Sequence, residues 1–151
     1  MAVFFLFFAS YDSPAPFDWQ TQMTRADQVV GMFGWRLIIV EPRNLIPVSR
    51  DDNPMVVRSL DQAIARADLA GMQWVWLHPQ GTQLLQDFAH PADNVVYCVG
   101  HDDTGFSKQM NQLQGDVLRI WGPDPNREFF ADTAMHIVVY DRVVKLQLWK
   151  L

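Results

Sequence analysis

The chain of 151 residues contains a single cysteine, Cys98. One cysteine excludes an internal disulfide bond, and a chain without disulfides is typical of a reducing compartment, so we expect a cytoplasmic protein. Because Cys98 stands in an apolar run, its position favours a small buried side chain over a reactive thiol.

Basic residues are also in short supply. The chain has 12 Lys and Arg against 17 Asp and Glu, which gives a net charge of −5 at pH 7. Tight binding to nucleic acid depends largely on Lys and Arg that displace counterions from phosphates, so the composition disfavours RNA as a tightly held partner. A local basic cluster is still compatible with this charge, and six arginines are spread widely enough to form one: Arg36, Arg43, Arg50, Arg58, Arg119 and Arg127.

Several common signatures are missing as well. The sequence has no GxSxG nucleophile motif, no Walker A or GxGxxG phosphate loop and no paired cysteines. The apolar run at residues 1–9 is too short to cross a bilayer and has no basic n-region, so it predicts a buried strand and no membrane association. Adjacent residues such as His101, Asp102 and Asp103 rarely point at one centre, so we expect no metal site.

Apolar and aromatic side chains are abundant. Apolar residues make up 49% of the sequence and aromatic residues 13%, including six tryptophans. This composition predicts a folded protein, and the length fits a single domain spanning residues 1–151. So many large rings in a small domain must fill the core or lie at an interface, and a homodimer is the simplest such interface.

The order of the predicted elements gives the fold class. Apolar runs predict strands at residues 3–8, 35–40, 55–58, 73–77, 94–99 and 117–120, most of them continuous as in strands buried on both faces. Helices are predicted at residues 18–33, 59–70, 82–88, from 107 onward, and 129–148. Asp18 and Ser59 are predicted to cap the first two helices, and Gly34 and Gly71 to end them. Residues 43–54 form a long connection whose course the sequence does not predict. Strands and helices alternate along the chain, which predicts an α/β fold with a parallel sheet and helices on both faces.

Four segments, taken in order, resemble one known family. They are Gly34 to Pro42 (GWRLIIVEP), the loop Gly100-x-Asp102-x-x-Gly105-Phe106, Leu118-Arg119-Ile120, and Ala134 to Arg142. In this order and spacing they resemble the SPOUT superfamily of S-adenosylmethionine-dependent RNA methyltransferases, in the branch that methylates ribose 2′-hydroxyls of tRNA and rRNA. The resemblance covers nearly the whole chain and centres on the strand and loop from Val95 to Phe106.

The resemblance implies a sheet whose C-terminal third forms a deep trefoil knot, an exception to the general rule against knots. It also implies S-adenosylmethionine as the cofactor, held by the knot loops. The implied cofactor-binding residues are Leu77, Gly100, Gly105, Ile120 and Glu128. An ordinary turn would explain the two glycines of the loop, but the flanking matches favour a ligand pocket after the carboxyl end of a strand.

The implied catalytic residues are Arg25 and Asp102. Members of the family carry an Asn-x-Gly-x-x-x-Arg pattern in the first helix, where this chain has Gln22, Thr24 and Gln28. Arg25 lies about one turn before Gln28, on nearly the same helix face, so it is the candidate to replace the missing arginine; a solvated surface arginine is the alternative. Asp102 stands where the family has Glu and keeps its charge on a shorter side chain.

The segment before the last helix also departs from the family. Where members carry Ser-x-Asn-x-Ser or Ala, this chain reads Glu128-Phe129-Phe130-Ala131-Asp132. Phe130 cannot make the amide hydrogen bonds of an asparagine. Glu128 places a carboxylate where the methionine end of the cofactor is held, so it either pairs with a positive charge there or is a solvated residue at the start of the helix.

Three hypotheses follow. The first is an enzyme, a compact SPOUT methyltransferase that acts on RNA. The second is a binding or structural protein that keeps the fold and the dimer but has lost methyl transfer, in line with the missing Arg and Asn and the acidic charge. The third is an unrelated α/β enzyme without a knot that uses Asp102 and Asp103 as a carboxylate pair.

Overall fold

The computed structural model describes residues 2–9, 19–49, 53–100, 110–111, 115–124, 127, 129 and 131–150. Strands within these residues form one seven-stranded sheet in the order β3-β2-β1-β6-β4-β7-β5. Their bounds are β1 Val3–Phe8, β2 Arg36–Val40, β3 Met55–Val57, β4 Gln73–Leu77, β5 Gln83–Leu84, β6 Val95–Val99 and β7 Asp116–Arg119. The pairings between these strands are all parallel, as the alternation of elements predicts.

Strand β1 lies inside the sheet, between β2 and β6. Phe5 stands level with Leu37 on one side and with Tyr97 on the other. Residues 4–8 are buried whichever face they point to, because the strand is covered above and below. The prediction of a buried, interior strand at residues 3–8 is confirmed.

Helices cover both faces of the sheet. They are α1 Trp19–Met32, α2 Leu60–Ile64 and α3 Ala131–Lys145, with short 3-10 turns at Ala67–Leu69, Leu85–Asp87 and Leu148–Lys150. Phe5 and Phe7 belong to the core formed with α1 and α3, whereas Phe4 and Leu6 belong to the core formed with α2. Alternate residues of one strand therefore supply two cores, which confirms the predicted layers.

The predicted helix ends are partly confirmed. Gly34 after α1 and Gly71 before β4 have φ angles of 71° and 77°, a region that favours glycine. The Ser59 hydroxyl accepts a hydrogen bond from the Gln62 N–H at 3.2 Å, so Ser59 caps α2 as predicted. The prediction that this helix runs to about residue 70 is wrong, because the chain tightens into a 3-10 turn that buries Leu69.

The predicted helix at residues 82–88 is also wrong. Residues 83–84 form strand β5, which pairs with β7, and a 3-10 turn follows. A Cβ atom on Gly81 would lie 2.6 Å from the carbonyl carbon of Leu118, so the turn before β5 is pressed against the backbone of β7. This close approach directs the chain into the sheet, and Leu85 and Phe88 are then buried beside it.

The last helix is shorter than predicted. It begins at Ala131 and ends at Lys145, and Gln147 then adopts a φ angle of 55° that takes the chain out of the helix. The predicted cap at Asp18 lies outside the described residues, as does most of the predicted helix from Ser107, of which the described residues 110–111 are helical. Within the described ranges, no helix is long and apolar enough to cross a membrane.

Candidate functional site

A pocket lies at the carboxyl edge of the sheet. Strands β6, β4 and β7 are neighbours, so their carboxyl ends stand side by side and the segments that leave them face one another. The space between them measures about 730 Å³, counting the part open to solvent. Its lining residues are Leu77, His78, Pro79, Val99, Gly100, Arg119, Ile120, Gly122, Asp124, Arg127, Phe129, Ala131 and Ala134.

Three of the predicted cofactor-binding residues meet in this pocket. Leu77 ends β4, Gly100 follows β6 and Ile120 follows β7, and all three line the space. The other predicted positions in the site, Gly105, Glu128 and the catalytic candidate Asp102, lie outside the described residues. The strand ends thus bring together residues that are far apart in the sequence.

Gly100 is fixed by packing against the central strand. A Cβ atom at this position would lie 2.6 Å from Cβ of Phe8, which is itself buried in the core. Larger residues at position 100 would therefore displace β1. Packing alone accounts for this glycine, so the case for a ligand rests on the shape and lining of the pocket.

The pocket wall carries both signs of charge. Nε of Arg127 lies 3.2 Å from Oδ2 of Asp124, with both side chains largely in solvent. Arg119 also lines the pocket and has no ion pair with any residue that the structure describes. Apolar side chains complete the wall, so the lining suits a ligand that combines an apolar ring with separated charges.

Arg25 points from α1 to the first turn of α3. Its Nη1 lies 3.6 Å from Oδ2 of Asp132, whose side chain is 6% exposed, whereas that of Arg25 is 53% exposed. Asp132 follows Ala131 of the pocket wall, which places Arg25 beside the pocket but outside its lining. Gln28, at the place of the family's arginine, is exposed.

Gln22 is buried on the same helix. It is 2% exposed, on the helix face that carries the buried residues Ala26 and Val30. Its Nε2 has no hydrogen-bond partner among the residues that the structure describes, an arrangement that costs about 1–3 kcal/mol when the group is shielded from water. This amide stands at the position of the family's asparagine, close to the end of the sheet that carries the pocket.

The sequence did not reveal a buried polar network that joins the segment before β6 to α3. His90 Nδ1 lies 2.8 Å from the Tyr97 hydroxyl, and His90 Nε2 lies 2.6 Å from Oδ2 of Asp141. Arg142 donates to the Tyr97 oxygen at 3.0 Å, and Lys145 lies 2.9 Å from Asp141. A neutral His90 with its proton on Nε2 donates to Asp141 and accepts from Tyr97, which satisfies both ring nitrogens.

Burial controls the ionisation of this network. Burial lowers the pKa of His90, against the opposing effect of the Asp141 carboxylate. Burial also raises the pKa of Tyr97 to about 12, against the opposing effect of Arg142. No local spacing could have indicated the network, since His90 and Asp141 are 51 positions apart.

Cys98 is buried, which confirms that this cysteine is a small core residue, and burial raises the pKa of its thiol.

A buried ion pair organises the loop after β2. Glu41 is fully buried, and its Oε2 lies 2.7 Å from Nη1 of Arg58. The same carboxylate accepts hydrogen bonds from the backbone N–H groups of Arg43 and Leu45, at 2.7 and 2.9 Å. The loop whose course the sequence left unpredicted is therefore held by one carboxylate.

Among the described residues there is no cluster of His, Cys, Asp and Glu that could bind a metal ion.

Comparison with known proteins supports the fold. No family model matches the chain, and no curated protein matches it by sequence. A candidate RNA methyltransferase from Bacillus anthracis matches 97% of this chain and 95% of its own, with a TM-score of 0.74 and 10% identity. A structure described as giving insights into the 2-OH methylation of C/U34 on tRNA matches 97% of both chains, with a TM-score of 0.70 and 15% identity.

A third similar structure contains the cofactor. It is an rRNA methyltransferase from Sinorhizobium meliloti with AdoMet bound, which matches 96% of this chain and 57% of its own, with a TM-score of 0.67 and 16% identity. The chain therefore has the fold of SpoU/TrmH-type RNA methyltransferases, and the resemblance stated from its motifs is confirmed at the level of fold.

Proposed function

We propose that this chain, with a SpoU/TrmH-type fold, binds S-adenosylmethionine in the pocket at the carboxyl edge and transfers its methyl group to a ribose 2′-hydroxyl of tRNA or rRNA. One observation carries the proposal. Leu77, Gly100 and Ile120, which leave three adjacent parallel strands, line a single pocket in this fold. Ligand sites of open α/β sheets occur at such strand ends.

The residues of the pocket fit this cofactor. S-adenosylmethionine has a flat adenine, a positive sulfonium and ammonium, and a carboxylate. Leu77, Val99 and Ile120 offer apolar walls for the adenine. Asp124 offers a carboxylate for the positive groups, and Arg119 a cation for the carboxylate. Glu128 remains a proposed further partner for the ammonium.

The chain's own residues must orient the attacking hydroxyl. Bound S-adenosylmethionine supplies an electrophilic methyl group. The protein therefore needs to position the ribose and to make its 2′-hydroxyl more acidic. Arg25 is our candidate for this role, held toward the pocket rim by its ion pair with Asp132. Asp102 is proposed to assist from the loop after β6.

We also propose that the C-terminal third is knotted and that two copies pair through α1 and α3. Large apolar side chains are exposed on both helices or directly after them, at Met32, Phe33, Tyr140 and Val144. Exposed large apolar side chains on two helices that pack against each other favour a protein interface there. His136 is exposed on the same helix as Tyr140 and Val144, one and two turns before them. The single buried Cys98 supports a reducing, cytoplasmic setting.

Methyl transfer tests the proposal directly. The chain is incubated with S-adenosylmethionine labelled in its methyl group and with bulk tRNA or rRNA, and the RNA is then digested to nucleosides. Label in 2′-O-methylnucleosides supports the proposal, and label in methylated bases would contradict the ribose assignment. Failure to label any RNA would contradict the enzyme hypothesis.

A second candidate function is cofactor or RNA binding without methyl transfer. It is favoured by the exposure of Gln28, where the family has its arginine, and by the pairing of Arg25 with a carboxylate. A binding protein of this kind retains S-adenosylmethionine but leaves the RNA unlabelled. Calorimetry and the transfer assay together separate the two functions.

A further inference from the structure

Two exposed aromatic residues belong to the segment between β7 and α3, which supplies part of the pocket wall. Trp121 is 59% exposed and stands between Ile120 and Gly122, both of which line the pocket. Phe129 is 44% exposed and lines the pocket itself. A Cβ atom on Gly122 would lie 3.9 Å from the Phe129 ring, so this ring lies over the backbone next to Trp121. The rim of the pocket therefore presents aromatic surface to solvent.

This exposure has no structural explanation within the sheet. β7 ends at Arg119, and Leu118, one position before its end, is completely buried in the core. Trp121 comes after the strand and leaves most of its indole in water, although a tryptophan of a small domain is usually largely buried. The patch also differs from the apolar surface of α1 and α3, which consists of Met32, Phe33, Tyr140 and Val144.

Positive charge lies on the same segment. Arg119 lines the pocket without an ion pair to any described residue, and the side chain of Arg127 is 87% exposed while paired with Asp124. An arginine beside exposed rings is the combination with which proteins hold single-stranded nucleic acid, since bases stack on the rings and phosphates contact the cation. Stacking suits an acidic chain because, unlike counterion release, it does not depend on net charge.

We propose that Trp121 is a stacking platform for an unpaired nucleobase of RNA, placed at the pocket rim, with Arg119 contacting the neighbouring phosphate. The proposal rests on the proposed function in taking RNA as the ligand. It goes further by assigning a specificity-determining residue and a preference for single-stranded over duplex RNA. A base held on Trp121 brings its neighbouring ribose to the mouth of the pocket.

The test compares two tryptophans of equal exposure. Trp121 and Trp149 are both 59% exposed, but Trp121 stands between two residues of the pocket wall, whereas Trp149 lies in the C-terminal 3-10 turn, whose residues do not line the pocket. Binding of a short fluorescein-labelled oligouridylate is measured by anisotropy for the wild type, Trp121→Ala, Trp149→Ala and Trp121→Phe. Loss of one stacked base predicts that Trp121→Ala weakens binding about 5- to 100-fold, that Trp121→Phe restores most of it, and that Trp149→Ala changes it less than about twofold.

Other outcomes overturn the proposal. Absence of oligouridylate binding by the wild type, equal loss in both alanine variants, or equal binding of a matched RNA duplex would each contradict it. A change in sedimentation with unchanged RNA binding in Trp121→Ala would instead assign the patch to a second copy of the chain. Calorimetry of the same variants with S-adenosylmethionine separates this proposal from the proposed function. If the variants bind S-adenosylmethionine but Trp121→Ala binds RNA as tightly as the wild type, only the role proposed for Trp121 is overturned.

Discussion

The guanidinium of Arg25 and the buried carboxylate of Asp132 lie 3.6 Å apart and join the first helix to the last at the rim of the pocket. The pair fixes the end of a side chain that is otherwise half in solvent, and Asp132 directly follows Ala131 of the pocket wall. Through this ion pair α1 holds a positive charge beside the pocket.

Replacing Arg25 tests this role. We expect Arg25→Ala to lower kcat for methyl transfer about 100-fold or more, because a positioned group that activates a hydroxyl contributes at that level. Affinity for S-adenosylmethionine should stay within about twofold, since Arg25 does not line the pocket. Gln28→Ala, an exposed change on the same helix, is the matched control. Equal transfer rates for the wild type and Arg25→Ala would remove Arg25 from the mechanism.

The Tyr97 hydroxyl links His90 to Arg142 inside the protein. Tyr97→Phe removes one partner from each of these residues, which leaves two buried polar groups short of a hydrogen bond. We expect a loss of about 1–3 kcal/mol in the free energy of unfolding, measured by urea denaturation. Tyr140→Phe removes the same atom from a side chain that is 72% exposed and should change stability by less than about 0.5 kcal/mol. Equal losses in the two variants would contradict a structural role for the network.

Stability should also depend on the ionisation of His90. The groups that face its ring are Tyr97 from β6 and Asp141, Arg142 and Lys145 from α3. Because burial lowers the pKa of His90 below its ordinary 6.5, the unfolded chain takes up a proton first as the pH falls. The contribution of His90 to stability is therefore complete above pH 6.5 and is lost as the pH falls toward the folded pKa.

Urea denaturation at a series of pH values checks this sign. We expect the free energy of unfolding of the wild type to decrease on acidification below pH 6.5, and the decrease to be smaller in His90→Gln, which cannot take up the proton. Identical pH slopes in the two proteins would show that burial and the interaction with Asp141 cancel, and a gain in stability on acidification that His90→Gln lacks would show that Asp141 outweighs burial.

The Glu41–Arg58 pair should be far more important for stability than the surface pair Asp124–Arg127. Glu41→Gln leaves the Arg58 charge, 19% exposed, without its carboxylate, and we expect a loss of about 3–5 kcal/mol. Arg127→Ala breaks a pair whose side chains are 87% and 50% exposed, so its effect should be below about 1 kcal/mol. Similar losses in the two variants, measured by thermal unfolding, would contradict the role given to Glu41 in holding its loop.

The sequence predicted the parts of this structure that depend on local patterns. Apolar runs located β1 and β6, because a strand covered on both faces is apolar throughout. The glycine stop at Gly34 was equally local. Local patterns failed where a distant contact decides the structure, as at residues 82–88, where Gln83 and Leu84 pair with β7.

The site was predictable to a similar extent. The rule for strand ends and the resemblance to a family located Leu77, Gly100 and Ile120, which the structure brings together in one pocket. Neither could show that Arg25 pairs with Asp132, nor that His90 reaches Asp141, because these contacts join distant segments. The structure also gives a different reason for the glycine at position 100. A side chain there would collide with Phe8, so glycine is required whether or not a ligand binds.

Isothermal titration calorimetry with S-adenosylmethionine and S-adenosylhomocysteine measures whether the pocket at the carboxyl edge of the sheet binds this cofactor. Gly100 is unsuitable as a site to block the pocket, because any side chain there meets Phe8. Ala134→Leu adds volume from α3 to the pocket wall, and Thr133→Leu makes a similar change on the exposed side of the same helix.

We expect micromolar binding by the wild type and by Thr133→Leu, and a loss of about tenfold or more in Ala134→Leu. If the wild type gives no heat signal at millimolar ligand, or if all three proteins bind equally, the pocket is not a cofactor site.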